Sequence, residues 1–229
     1  MNKLNQVVHG KKEGFSLVEM MIAMAVSVIV ITGIISLIAY STRSMSITQA
    51  RAALQDAAKD SVAHISTHVM EGDSVTPYED TVTGDGVSRG ALLIRKKKIK
   101  GDGTEELSWY LYWVSSGQGA GDSDMLCFAP LADLGTELSM PVPDDFDTRN
   151  DAQRLNYIAA LVPAVESAGR QKRHLLCDDV SRLKCEVQQK VDPADSTSKI
   201  GKPKLHVVLT LKDDKSEFEC DKDIFMRNQ

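Results

Sequence analysis

The chain has 229 residues, a net charge of −5, and 42% hydrophobic against 26% charged residues. The acidic balance argues against nucleic acid as the main ligand, because binding to a phosphate backbone rests on clustered Lys and Arg. The length is enough for a long N-terminal helix followed by one domain of ordinary size with a real core.

Residues 1–14 are polar and basic and show no periodicity. They lead into Gly14-Phe15-Ser16-Leu17-Val18-Glu19, where Glu19 is the single charge between Phe15 and Thr42. From Met20 to Tyr40 there is no charge at all, and about 20 apolar residues suffice to cross a bilayer as a helix. A carboxylate inside a membrane helix costs about 2.5–3.5 kcal/mol and calls for a partner. A cut after Gly14 would place an α-amino group on Phe15. That amine and Glu19 of a neighbouring copy could pair in low dielectric, each reducing the other's desolvation cost.

The segment Lys11-Lys12-Glu13-Gly14-Phe15-Ser16-Leu17-Val18-Glu19 resembles the processing site of type IV pilins and type II secretion pseudopilins. The resemblance implies cleavage between Gly14 and Phe15 by a prepilin peptidase, N-methylation of Phe15, and a part for Glu19 in subunit assembly. It also implies the partners: other pilin or pseudopilin subunits, the peptidase, an inner-membrane assembly platform and membrane lipid. Lys3, Lys11 and Lys12 precede the span and Arg43 and Arg51 follow it, which favours a cytoplasmic N-terminus and a periplasmic head. A secretory signal peptide fits less well. Its apolar region is shorter, and Leu37-Ile38-Ala39-Tyr40-Ser41 is a poor cleavage site.

Beyond the span, Ile47, Leu54, Ala58, Val62, Ile65 and Val69 recur at helical spacing. They predict an apolar stripe on a continuing amphipathic helix, with Arg51, Gln55, Lys59, Asp60 and Thr67 opposite. Gly72 is the expected stop, giving a helix ~85 Å long at 1.5 Å per residue. The expected division is a removed leader at 1–14, a transmembrane and assembly helix at 15–42, the amphipathic half of the same helix at 43–71, and a globular β-rich head at 72–229.

In the head, Gly84-Asp85-Gly86 and Gly101-Asp102-Gly103 are turn signals. Ala91–Ile99 and Leu107–Val114 predict a hairpin across the second turn, with both tryptophans on a strand that has a core face and a half-exposed face. Arg95-Lys96-Lys97-Lys98 then reads as a solvated strand face. Met125–Phe128, Val180–Lys190, Lys204–Lys212 and Phe218–Met226 predict further strands. Met140–Asp151 and the polar stretch Asp192–Lys202 predict loops, and Arg154–Ala168 fits either a strand near Tyr157 or a short helix. A long helix followed by mostly antiparallel strands is α+β and resembles a pilin. Ser181-Arg182-Leu183-Lys184-Cys185-Glu186-Val187 and the closing Phe225-Met226-Arg227-Asn228 resemble larger minor pilins and J-type pseudopilins.

The four cysteines, Cys127, Cys177, Cys185 and Cys220, form no C-x-x-C pair, so zinc and thioredoxin-type readings are weak. An even count in an exported domain favours disulfides. Of three possible pairings, Cys127–Cys177 with Cys185–Cys220 is preferred, the latter by its resemblance to a pilin's closing bridge. Cys177–Cys185 across a turn stays open.

Other candidate sites are weaker. His64 and His68 stand at i, i+4, a spacing that can ligate a metal. Ile65 occupies the position where a metalloprotease carries Glu, so a solvated or packed helix face is preferred. Asp122 with Asp124, and Asp144 with Asp145 and Asp147, could contribute to calcium binding, which takes six to eight oxygens. Neither run fits an EF-hand, so solvated acidic loops are preferred and no cofactor is implied. There is no Gly-x-Ser-x-Gly elbow and no glycine-rich phosphate loop. The sequence therefore favours a structural subunit, a minor pilin or pseudopilin that joins or initiates a filament. The competing reading is a single-pass anchored periplasmic enzyme or binding module.

Overall fold

The computed structural model describes residues 15–79, 89–116, 123–134, 142–143, 145–168, 173–192 and 195–226. The leader with Gly14, the Gly84-Asp85-Gly86 turn, Asp122 and Asp144 lie outside the described residues. The chain divides into two compact units between Thr48 and Gln49. Helix α1 (Leu17–Glu71) begins in the first and ends in the second.

In the first unit the large apolar side chains from Phe15 to Met45 are exposed, as is Ile47. Among the described residues, α1 is the one helix long and apolar enough to cross a membrane. Several of its hydroxyl groups are satisfied within the helix. Ser27, Thr32, Ser36, Thr42 and Thr48 each donate to the carbonyl four residues back, at 2.7–2.9 Å. Lipid offers no hydrogen-bond partners, so an internally closed set of polar groups suits this stretch to a bilayer.

In the second unit, α1 buries Leu54, Ala58, Val62, Ile65 and Val69. The expected stripe therefore starts at Leu54, one element later than Ile47. Ile47 is 41% exposed and belongs to the first unit. Helix α1 stops at Gly72, whose N–H donates to the His68 carbonyl at 2.8 Å. A Cβ at Gly72 would lie 2.8 Å from Ile94 Cγ2 and 3.1 Å from the Arg95 carbonyl oxygen.

Five antiparallel strands follow as a meander: β1 (Ser74–Glu79), β2 (Gly90–Ile99), β3 (Glu105–Ser115), β4 (Met125–Pro130) and β5 (His174–Cys177), in the spatial order β1-β2-β3-β4-β5. Between β4 and β5 come a single turn, α2 (Leu131–Leu134), a 3-10 turn at Phe146–Thr148, and α3 (Asp151–Ala168). A second sheet has the order β6 (Val180–Asp192), β7 (Asp195–Lys212), β8 (Glu217–Phe225). The chain changes sheets at Asp179, which takes φ of +59°. The α+β expectation holds, as two sheets rather than one.

Residues of alternate parity in the first sheet feed different cores. Leu92, Ile94, Tyr112, Val114, Leu126 and Phe128 meet α1 and the second sheet. Ala91, Leu93, Leu111, Trp113, Cys127 and Ala129 meet α2, Phe146 and α3. This explains the unbroken apolar runs Ala91–Ile94 and Leu111–Val114, since a strand covered on both faces needs no alternation. It also corrects the half-exposed face expected for β3. Tyr112 and Trp113 are both 0% exposed, because α3 covers the side that the sequence reading left to solvent. The ambiguous segment is thus a helix. Its start carries a reciprocal cap: Gln153 N–H donates to Asn150 Oδ1 at 2.9 Å, and Asn150 N–H donates to Gln153 Oε1 at 3.2 Å. Of the polar stretch at 192–202, expected as a loop, Asp192 ends β6 and residues 195–202 belong to β7, with Asp192 opposite Asp195.

The two sheets approach closely at Gly90. A Cβ there would stand 2.2 Å from the Leu183 carbonyl oxygen, so any side chain forces one strand aside. Gly90→Val should cost about 1–3 kcal/mol, the usual range for overpacking. Thermal unfolding of the detergent-solubilised full chain measures it, and an unchanged Tm would show that the strands separate freely.

The four cysteines stand unbonded to one another in the structure. Cys127 faces the α3 core while Cys177 faces the α1 core, so adjacent strands place them on opposite sides of the sheet. Cys185 pairs with Val207 on β7, and Cys220 pairs with Leu209 on the far side of the same strand. Two strand spacings separate them by about 10 Å, beyond the ~7 Å that a disulfide spans between Cα atoms. Burial pushes the Cys177 thiol up to about 11 and the Cys185 thiol to about 12, which leaves both protonated and unreactive.

Candidate functional site

The N-terminal site starts from Ser16. Its hydroxyl oxygen accepts from the Glu19 N–H at 3.3 Å, and the Glu19 carboxylate oxygen Oε2 accepts from the Ser16 N–H at 2.9 Å. The Met20 N–H closes the first turn on the Ser16 carbonyl at 3.2 Å. This is a capping box, two backbone donors satisfied reciprocally by an Ser-x-x-Glu pair. It draws the Glu19 carboxylate back toward Phe15, the residue at which the expected cut would place an amine. Phe15 is 85% exposed. Phe15, Glu19, Met20, Ala23, Met24, Ser27 and Val28 line one open groove along this end of the helix.

The sequence reading brought Phe15 and Glu19 together but missed Ser16. The signal was available: Ser followed three residues later by Glu, just before an apolar run, is a helix-start signature. Glu19 consequently has a local role beside any role in assembly. It holds the helix start, and a carboxylate there also suits the positive end of the helix dipole.

His64 and His68 take the packed reading. Both Nδ1 atoms meet the Tyr112 hydroxyl, at 2.9 and 2.8 Å. The His68 Nδ1 also lies 3.2 Å from the His64 carbonyl oxygen. Phe128 contacts both imidazoles, and His174 from β5 contacts Phe128. Among the described residues no group of three or more His, Cys, Asp or Glu is placed to hold a metal ion.

The described acidic loop residues face guanidinium groups instead of forming a common oxygen cage. Asp124 lies 3.6 Å from Arg89, and Asp145 lies 3.0 Å from Arg149. Asp147 pairs with Arg95 and accepts from Ser74 at 3.3 Å. Arg95 also grips Asp73 at 2.5 Å and lies over the Trp109 ring. On the same strand, Lys96 pairs with Glu71 and Lys97 with Glu105, both at 2.6 Å, while Lys98 is exposed. The expected solvated face holds at Lys97 and Lys98, which are exposed, while Arg95 and Lys96 are tied by ion pairs to Asp73, Asp147 and Glu71.

Residues 10–40 match the family model described as the prokaryotic N-terminal methylation motif. No curated protein and no solved structure matches the chain. The matched segment spans the residues expected to be processed and the opening of α1. With the long apolar helix behind it, the match is consistent with the resemblance to type IV pilins and pseudopilins.

Proposed function

We propose that this protein is a minor pilin or pseudopilin, a structural subunit rather than an enzyme. It is cut between Gly14 and Phe15 by a prepilin peptidase, methylated on Phe15, and joins or initiates a type IV pilus or a type II secretion pseudopilus. The observation that carries the reading is the methylation-motif match at residues 10–40, with the capped, lipid-ready start of α1 behind it. Before assembly the chain sits in the inner membrane with its N-terminus cytoplasmic and its head periplasmic. It meets the assembly platform and sibling subunits through the apolar half of α1.

The test is the mass of the N-terminal peptide recovered from the membrane fraction. The expected result is a chain that starts at Phe15 and carries one extra methyl group. Gly14→Val adds bulk at the cut and should leave the leader attached. Normal processing of that variant, or an intact N-terminus in the parent, overturns the assignment.

A further inference from the structure

The shortest contacts of the cluster around Tyr112 favour one arrangement of protons. The His68 Nδ1 lies within reach of both the His64 carbonyl and the Tyr112 oxygen, so it acts as donor. The Tyr112 O–H is then free to donate to His64 Nδ1 at 2.9 Å, which must be unprotonated. This tautomer assignment follows from the donors and acceptors present. It makes His64, on α1, the acceptor for a buried hydroxyl on β3.

We infer that His64 and Tyr112 form an acid-sensitive latch that holds the second half of α1 on the first sheet. A proton added to His64 goes to Nδ1, since Nε2 already carries one. Three donors then converge on the same place: His64 Nδ1–H, His68 Nδ1–H and the Tyr112 hydroxyl. The hydroxyl exchanges its 2.9 Å acceptor for the long bond to the His64 carbonyl, at 3.5 Å. A buried donor held only by so long a bond is poorly satisfied, which costs stability.

The surroundings offer the new charge little compensation. From α1 itself, His68 faces His64 with ring centroids 4.9 Å apart, and Asp60 is exposed. Glu71 acts on His68, but its carboxylate is held by Lys96 of β2 at 2.6 Å. β3 contributes Tyr110 and Tyr112, β4 the uncharged Phe128, and β5 the imidazole of His174. Burial first, then the imidazoles of His68 and His174, hold the His64 ring below its ordinary value. Burial likewise pushes the Tyr112 hydroxyl up, so it stays a donor.

The direction of the pH effect follows from linkage. The folded head resists a proton that the unfolded chain takes up near pH 6.5. Stability is therefore complete above about pH 6.5 and falls as the pH drops toward the folded-state value. The inference does not depend on which filament, if any, the head joins.

Hydrogen exchange on the detergent-solubilised full chain tests it. Protection of the backbone amides from Ile65 to Val69, corrected for intrinsic rates, should fall severalfold between about pH 7.5 and pH 5. In His64→Gln the side-chain carbonyl can accept from Tyr112 without titrating, so protection should stay nearly level over the same range. Protection that is level in the parent, or equally steep in His64→Gln, overturns the latch. Should His64→Gln fail to fold, the imidazole resonances of the parent decide. A His64 midpoint below about 6.5 is expected, and one at or above it overturns the inference.

Discussion

Ile65→Asp unfolds the head. Ile65 is 0% exposed and belongs to the core shared by α1 and both sheets. Truncating such a side chain costs about 2–5 kcal/mol before any charge is considered. An Asp there adds a carboxylate among aliphatic side chains with no cation built to receive it, for several kcal/mol more. The sum reaches the lower end of the whole stability of a typical domain, about 5–15 kcal/mol. Loss of near-ultraviolet circular dichroism and rapid proteolysis of residues beyond Gln49 should follow. The exposed Thr67→Asp change, two positions along the same helix, is the control and should cost less than about 1 kcal/mol. Equal stability of Ile65→Asp and its parent would show that the buried face of α1 has been misplaced.

Replacing Glu19 separates its two roles. Glutamine can still accept from the Ser16 N–H and complete the box, but it carries no charge. Alanine loses both functions. In the proposed filament the carboxylate pairs with a processed amine away from water, and breaking a buried pair costs about 3–5 kcal/mol. That is about two to four orders of magnitude in each subunit contact. Glu19→Gln and Glu19→Ala should therefore both be cleaved and inserted, and both should fail to assemble. Ser16→Ala loses only the cap, about 0.5–2 kcal/mol, and should assemble to a reduced extent. Electron microscopy with quantification of sheared filaments provides the measurement. Assembly of Glu19→Gln at parental levels would leave Glu19 with the capping role alone.

The parts of this fold that were legible in the sequence are those that local patterns determine. The apolar run after Phe15, the stripe from Leu54 to Val69, the stop at Gly72 and the hairpin across Gly101–Gly103 each follow from composition and spacing. The misreadings arose where a distant segment decides. β3 looked half-exposed because nothing local announces that α3 will cover it. α3 itself is ambiguous in the sequence because Pro163 interrupts its pattern. The Cys185–Cys220 pair fits the strand assignment but not the strand order, which places β7 between the two residues. At the N-terminal site the functional pair was legible, and the hydroxyl that holds it was passed over as part of a processing motif.

The order in which the strands pair has a kinetic consequence. Each strand of both sheets lies beside its sequence neighbour, so apart from β4 and β5, which α2 and α3 separate, the sheets can zip up from contacts close in the chain, which form quickly. The α1 core is the opposite case. Leu54 shares it with Ile224 and Met226, and these contacts close a loop that takes in nearly the whole head. The helix that is synthesised first is thus covered last. Until β8 arrives, the face from Leu54 to Val69 lacks part of its cover and can engage other apolar surfaces. The rate-limiting event in folding should be the docking of α1 onto two sheets that are already formed.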